Sequence, residues 1–245
     1  MQNAIRLHST RCPKCAEKGK DRAGNNLAIY SDGHVWCFSC GYYQPGNELQ
    51  KLKKTKKPTI SISLPEDITK TIPEKPLQWL QQYLDYIPDR TYWSEKKQYL
   101  IFTIYDNEHM LLAYIGRYFG TNPNHPKWIT FGINSSIIKL IKPAKNIQQS
   151  TCVLVEDIIS AYKVGHIQDA LPLFSAHINT QQMLRLQLLG YKKLIFWLDA
   201  DKYKEKIKFA QQAQALGFET QVIQTNLDPK EYSYEEIEHE LLTTN

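Results

Sequence analysis

Two kinds of hydrophobic pattern divide this chain near residue 150. Upstream the apolar positions come in scattered short runs. A short strand, Thr59 to Ser63, precedes proline-punctuated chain, and Trp79, Leu80, Tyr83 and Leu84 fall at helical spacing within a helix predicted over Leu77–Asp85. Tyr99–Tyr105 reads as a strand, Asp106-Asn107 as its turn, and Leu111–Ile115 as its hairpin partner. Downstream the pattern becomes regular. Strands at Val153–Val155, Leu171–Ser175, Leu194–Leu198 and Thr220–Ile223 alternate with helices at Asp157–Val164, Thr180–Leu189 and Lys204–Leu216. The second helix is capped by Asn179 or Thr180, the third closes at Gly217, and an acidic helix ends the sequence. Such alternation predicts a parallel sheet with helices on both faces.

Cysteine spacing adds a third unit in front. Cys12-Pro13-Lys14-Cys15 and Cys37-Phe38-Ser39-Cys40 are two C-x-x-C pairs separated by 21 residues. A two-residue gap lets both thiolates of a pair reach one ion, and two pairs complete a tetrahedral all-sulfur site for one structural zinc. Between them, Leu27–Tyr30, the turn Ser31-Asp32-Gly33 and His34–Phe38 predict a hairpin, so the unit is a small antiparallel zinc ribbon. Tyr30, His34, Trp36 and Phe38 stand beside Arg11, Lys14, Lys18, Lys20 and Arg22. Aromatic faces stack on unpaired bases while cations hold phosphates, which makes Tyr30, His34 and Trp36 candidate base contacts. A module this small also needs a core, and one of its aromatics is expected to supply it. Cys152 stands apart in an apolar run and reads as a core thiol.

Charge sharpens the picture. The net charge of +5 is concentrated at the front: residues 1–58 hold 11 Lys and Arg against 4 Asp and Glu, and the remainder holds 19 against 21. That asymmetry predicts a polyanionic partner. Five of the cations, Lys51, Lys53, Lys54, Lys56 and Lys57, belong to a polar stretch, residues 47–58, that reads as a flexible linker. The 42% hydrophobic and 22% charged residues exclude a disordered or fibrous protein. No apolar run is long enough to span a membrane, and the first residues lack a signal-peptide core, so a cytoplasmic location is expected.

Carboxylates gather where the predicted parallel strands end. Glu156-Asp157 follows the first, Asp199-Ala200-Asp201 the third, and Asp228 comes after the fourth. Ligands of such sheets bind at the carboxyl ends of strands, and clustered carboxylates suit Mg2+ or Mn2+ and metal-assisted phosphoryl transfer.

In their order these residues resemble a known family. Val155-Glu156, Leu198-Asp199-Ala200-Asp201 and Asp228-Pro229-Lys230-Glu231 are similar to the acidic motifs of a Toprim domain. Ile115-Gly116-Arg117 with Pro126-Lys127-Trp128 resembles the basic stretch preceding it in bacterial-type DNA primases. Ribbon, linker, basic subdomain and Toprim together resemble the primase half of tailed-phage primase-helicases. Three places depart from the pattern: Asp157 replaces the usual glycine, Ser160 the usual further acid, and Lys202-Tyr203-Lys204 the usual small residues and glycine after Asp201. The resemblance implies a multidomain α+β and α/β fold, with a ribbon that binds the template at 1–46, the linker at 47–58, a mixed basic subdomain at 59–148 and an α/β Toprim domain at 149–245. It implies template-directed synthesis of short RNA primers on single-stranded DNA from NTPs, alongside a separate replicative helicase and DNA polymerase, in a bacterial host if phage-encoded. Glu156, Asp199, Asp201 and Asp228 would be the catalytic residues and would hold one to three Mg2+ or Mn2+ ions, with Glu156 as base or ligand. Arg117, Lys127, Lys139 and Lys142 would hold phosphates of nucleotide or template, and Cys12, Cys15, Cys37 and Cys40 the zinc. A Toprim-type nuclease and a non-catalytic single-strand-binding protein are the alternatives, with a topoisomerase a weaker third.

Overall fold

The structure, a computed structural model, describes residues 6–31, 33–44, 62–105, 109–132, 139–174 and 177–243. The expected linker, 47–58, and the Asp106-Asn107 turn lie outside these residues. So do 59–61 of the expected Thr59–Ser63 strand, whose last two residues belong to no strand.

The first sheet runs β1 (Arg6–Thr10), β2 (Leu27–Tyr30), β3 (Val35–Cys37) and β4 (Tyr43–Gln44), neighbouring strands being antiparallel. The expected hairpin is present, with Leu27 opposite Cys37 and Ala28 opposite Trp36. Its flanking strands were not apparent in the pattern, because Arg6–Thr10 carries a single aliphatic residue and Tyr43–Gln44 is two residues long. Cys12, Cys15, Cys37 and Leu27 form the small buried core, with Val35 and Tyr42 packed against it. Trp36, Phe38 and Tyr43 are exposed. The aromatic packed against the core is Tyr42, beside the cysteine sulfurs.

Asp21 fixes the first cysteine. Its buried carboxylate accepts the Cys12 N–H at 2.7 Å and the Asn25 N–H at 3.2 Å, and these amide donors hold it below the usual aspartate range. Asp21→Ala leaves the Cys12 amide unpaired inside the ribbon, so zinc should be lost faster to a chelator, read as release to a colorimetric dye. Unchanged release would exclude that role.

A five-stranded antiparallel meander follows: β5 (Ile68–Thr69), β6 (Thr91–Ser94), β7 (Tyr99–Tyr105), β8 (Leu111–Tyr118) and β9 (Trp128–Phe131). Helix α2 (Glu74–Gln81) starts three residues before its predicted position, directly after Pro73, and ends four before; α1 is the single turn Pro13–Glu17 of the ribbon. One face of the meander buries Trp93, Leu100 and Phe102 against Leu80 and Leu84, and also against Ile158 and Ile159 of the next unit.

The third sheet is wholly parallel, in the order β11-β10-β12-β13: β10 (Thr151–Val155), β11 (Ala170–Pro172), β12 (Lys193–Phe196) and β13 (Glu219–Val222). Successive side chains point to opposite faces. Cys152 and Leu154 pack with Phe196 beneath α4 (Thr180–Leu188) and α5 (Tyr203–Ala215). Val153 and Val155 pack with Trp197 beneath α3 (Ile158–Val164) and α6 (Tyr234–Thr243). Layers on both sides explain the unbroken apolar runs of β10 and β12. Asn179 and Gln182 form a reciprocal capping box on α4, and Gly217 ends α5 with φ 91°. The chain steps from β10 outward to β11, then returns to the other side of β10 as β12. The strand order therefore reverses between β10 and β12, where a crevice opens at the carboxyl ends. Among the described residues, no helix is long and apolar enough to cross a membrane.

Candidate metal and nucleic-acid sites

The four cysteines converge. Their sulfur atoms lie within 4.8 Å of one another, with Cys12–Cys40 and Cys15–Cys37 each 3.6 Å apart. A ZnS4 tetrahedron with Zn–S of ~2.3 Å has S–S edges of ~3.8 Å, so the cage has the size of a zinc ion. Disulfides, with sulfurs ~2.05 Å apart, are excluded by the same distances. Without metal, burial raises the Cys12 thiol and pushes Cys15 up to about 12. Against its own burial, Cys37 is drawn down to about 7 by the Cys40 and Ser39 amides. The donor set fits zinc, and all four ligand positions are protein sulfurs.

On the ribbon sheet, Tyr30, His34, Trp36 and Tyr43 share a face, as the cross-strand pairing of Ala28 with Trp36 and Trp36 with Tyr43 requires. Tyr30 and His34 stack at 4.1 Å, and Trp36 lies 6.3 Å from Tyr43. Arg6 sits over Phe38 at 4.8 Å and Lys14 over Tyr42 at 5.0 Å. Aromatic rings and cations thus alternate over the ribbon surface.

A cleft of about 390 Å3 lies at the reversal of the parallel sheet. Glu156 and Asp199 form its floor, each directly after or close after a strand. Glu156 Oε1 accepts the Asp199 N–H at 3.1 Å, tying the two strand ends together. Asp157 caps α3, accepting the Ile159 and Ser160 N–H groups at 2.8 and 3.0 Å on Oδ1 and the Ser160 hydroxyl at 2.7 Å on Oδ2. Phe174 contributes to the wall from a left-handed backbone (φ 56°), rare for a bulky residue. Its N–H donates to the Glu156 carbonyl at 2.8 Å.

The opposite wall comes from the meander, with Arg117, Lys127, Trp128 and Thr130 from β8, β9 and their connection, and Trp79 and Tyr83 from α2 and the turn after it. The Arg117 guanidinium is caged by Trp79, Phe119 and Trp128, at 5.2, 5.6 and 5.4 Å from their ring centres. Its Nε is buried without a hydrogen-bond partner among the described residues, and burial lowers its pKa. A cation held among rings with an unpaired donor suits an incoming anion. Gly116 beside it is needed for close packing, since a Cβ there would stand 2.8 Å from Ile129 Cγ1.

The remaining acids and bases divide. Asp228 Oδ2 accepts from Lys230 Nζ at 2.6 Å, and the same ammonium reaches Asp157 Oδ2 at 3.1 Å. Asp201 points outward, exposed and paired with Lys202 at 2.8 Å, and that hydrogen bond lowers its pKa. Lys139 is not on the cleft wall; burial and the neighbouring Arg90 charge lower its pKa. Lys142 lies at the other end of the sheet, 3.7 Å from Asp169, which precedes β11. Of the four basic candidates, then, the fold brings Arg117 and Lys127 to the acids and leaves Lys139 and Lys142 away. Two cations near the acids escaped the sequence reading as site residues: Lys230, which lines the cleft, and the buried Lys206, which does not line it but feels the Asp199 and Glu156 charges and whose ammonium reaches the Ile223 carbonyl at 3.4 Å. An apolar-facing lysine on an amphipathic helix was the available signal for Lys206.

Burial first, then the charges of Glu156 and Asp228, pushes Asp199 up to about 7; burial also raises Glu156. An aspartate whose folded pKa exceeds its ordinary 3.8 binds more protons in the native state, so the metal-free protein should lose stability as pH rises through the window from 3.8 to about 7. Thermal unfolding without Mg2+ or Mn2+ checks this. Asp199→Asn should flatten the loss, and an equal pH slope in both proteins would refute it. The donors here are oxygens alone, the set that suits Mg2+ or Mn2+. Among the described residues, the cysteines alone bring three or more potential ligand atoms within so short a span.

No protein-family model matches the chain, and no curated protein matches it in sequence. Solved structures do. The zinc-binding and RNA-polymerase domains of Aquifex aeolicus primase align over 99% of this chain and 81% of theirs, at 15% identity and a TM-score of 0.49. The primase fragment of the bacteriophage T7 primase-helicase protein aligns over 98% and 99%, at 16% identity and 0.43. The RNA-polymerase domain of Mycobacterium tuberculosis primase aligns over 69% and 65%, at 13% identity and 0.47. The three structures aligned with this chain are primases or primase fragments.

Proposed function

We propose that this protein is a DNA primase, which joins ribonucleotides into short primers on a single-stranded DNA template. One observation carries the reading: Glu156 and Asp199, from the two strands flanking the sheet reversal, share one cleft with Arg117 and Lys127. Acids on one wall and cations with aromatic rings on the other suit a nucleotide whose triphosphate and base need opposite chemistry. We assign residues 1–46 to the template-reading ribbon, 47–58 to a linker, 59–148 to the basic subdomain and 149–245 to the Toprim domain.

In this reading Tyr30, His34 and Trp36 stack on template bases while ribbon cations hold the backbone. Arg117 and Lys127 orient the triphosphate or template phosphates, the Arg117 cage fixing its guanidinium in advance. Glu156 and Asp199 are the carboxylates that would hold Mg2+ or Mn2+, while Asp228 is paired with Lys230 and Asp201 with Lys202. That ion, when bound, would offset the charge of the triphosphate and lower the pKa of the attacking 3′-hydroxyl. A separate helicase and DNA polymerase would act before and after this step.

The test incubates zinc-loaded protein with Mg2+, four NTPs (one radiolabelled) and random-sequence single-stranded DNA, with end-labelled DNA in parallel. Short labelled RNA is the expected product. Cleaved DNA without RNA would replace this reading with a Toprim nuclease. DNA binding with neither product would leave a binding protein.

A further inference from the structure

Lys230 occupies the acid cluster as a cation of the protein's own. Its ammonium lies between two carboxylates, 2.6 Å from Asp228 Oδ2 and 3.1 Å from Asp157 Oδ2, and its side chain is one-fifth exposed at the cleft wall. Asp157 has nothing left to offer a metal. Oδ1 accepts two backbone N–H groups, and Oδ2 accepts both the Ser160 hydroxyl and Lys230. Asp228 is held from both sides, by Lys230 on its carboxylate and by the Glu231 side chain on its own N–H at 2.9 Å. Among the described residues, Glu156 and Asp199 on the same floor have no such ammonium hydrogen-bonded to them: they are joined by the Asp199 N–H donating to Glu156 Oε1.

Resting on the reading of this cleft as a metal-dependent centre, we propose that the Lys230 ammonium stands in for a second divalent cation, so that the protein holds one resident metal ion, on Glu156 and Asp199. The physical reason is charge. Glu156, Asp157 and Asp199 line the cleft with Lys230, whose ammonium joins Asp157 to Asp228, and this fixed cation neutralises the Asp157–Asp228 half without dehydrating an ion. A further ion would have to displace a short, charge-assisted hydrogen bond from a half-buried site. The same ammonium also ties the loop of Asp228 to the start of α3, so Lys230 is a positioning residue rather than one that touches substrate.

The experiment counts bound Mn2+ on the full, zinc-loaded chain without nucleotide, from the loss of the free-ion electron paramagnetic resonance signal. Mn2+ prefers oxygen donors and leaves the thiolate cage to zinc. The wild type should bind about one equivalent, Lys230→Arg about one, and Lys230→Gln about two, as the Asp157–Asp228 pair is released. Asp199→Ala should lose the wild-type ion. Two or more ions on the wild type overturn the proposal whether or not Lys230→Gln folds, and so does a folded Lys230→Gln that stays at one; both leave the metal-dependent reading intact. No Mn2+ on any of these proteins overturns both.

Discussion

Asp199→Ala is expected to lower RNA primer synthesis by about a thousandfold while leaving single-stranded DNA binding unchanged. Asp199 is the carboxylate whose ionisation the protein opposes most among the cleft acids, pushed up to about 7 by burial and by Glu156 and Asp228. Such an environment is unfavourable in the resting protein and becomes favourable only when a divalent ion answers the charge. Losing one preorganised electrostatic element of this kind typically costs ~10²–10³ in rate, and losing the ion's site with it more. The ribbon lies on a separate sheet, so binding through its aromatic face should persist. Stability should move the other way. Removing a half-buried like charge relieves repulsion, so Asp199→Ala should unfold at a higher temperature than the wild type near pH 8 without Mg2+. Product radioactivity and a thermal melt measure both. A variant that keeps a tenth of its activity would remove Asp199 from the chemistry.

Removing zinc is the second large effect. The ribbon's buried core consists of three cysteines and Leu27, with Val35 and Tyr42 alongside, too little apolar surface to hold four short strands together. Apparent binding energies of structural zinc are ~10–16 kcal/mol, more than such a module's own folding energy. Cys37→Ser should therefore unfold residues 6–44 and leave the meander and parallel sheet folded, because Leu100, Phe102, Leu154, Phe196 and Trp197 bury themselves without the ribbon. Limited proteolysis should remove the N-terminal segment and stop near residue 62. Primer synthesis on a natural template should fall steeply with it. A Cys37→Ser protein with wild-type protease resistance in the ribbon would show that zinc does not hold it.

These two sites were legible to different degrees. Cys12, Cys15, Cys37 and Cys40 could be read as one cage because C-x-x-C closes locally and the intervening hairpin brings the second pair back. The strands β10 and β12 were legible because both their faces are covered, which leaves continuous apolar runs. Thr91–Ser94 and Trp128–Phe131 were not. Each is four residues long and belongs to a sheet only because Leu100 and Arg117 stand opposite in register. Helix α2 was misplaced by a few residues because Tyr83 and Leu84 continue the apolar spacing although the chain has already left the helix to bury them.

The sequence by itself determined the zinc cage, the alternation that makes a parallel sheet and the acids at its strand ends, which depend on neighbours no more than 28 residues apart, as Cys12 and Cys40 are, or on the short repeat of a strand or helix. The tertiary structure alone decided which residues face those acids. Arg117 and Trp79 line one cleft with Glu156 and Asp199 because the meander packs Leu100 and Phe102 against Ile158 and Ile159, a contact between units that no local pattern encodes. It likewise turned Asp201 and Lys142 away and set Lys230 between Asp157 and Asp228, 73 residues apart in one case and two in the other. Periodicity reports which side of an element is buried; only packing settles what lies across from it.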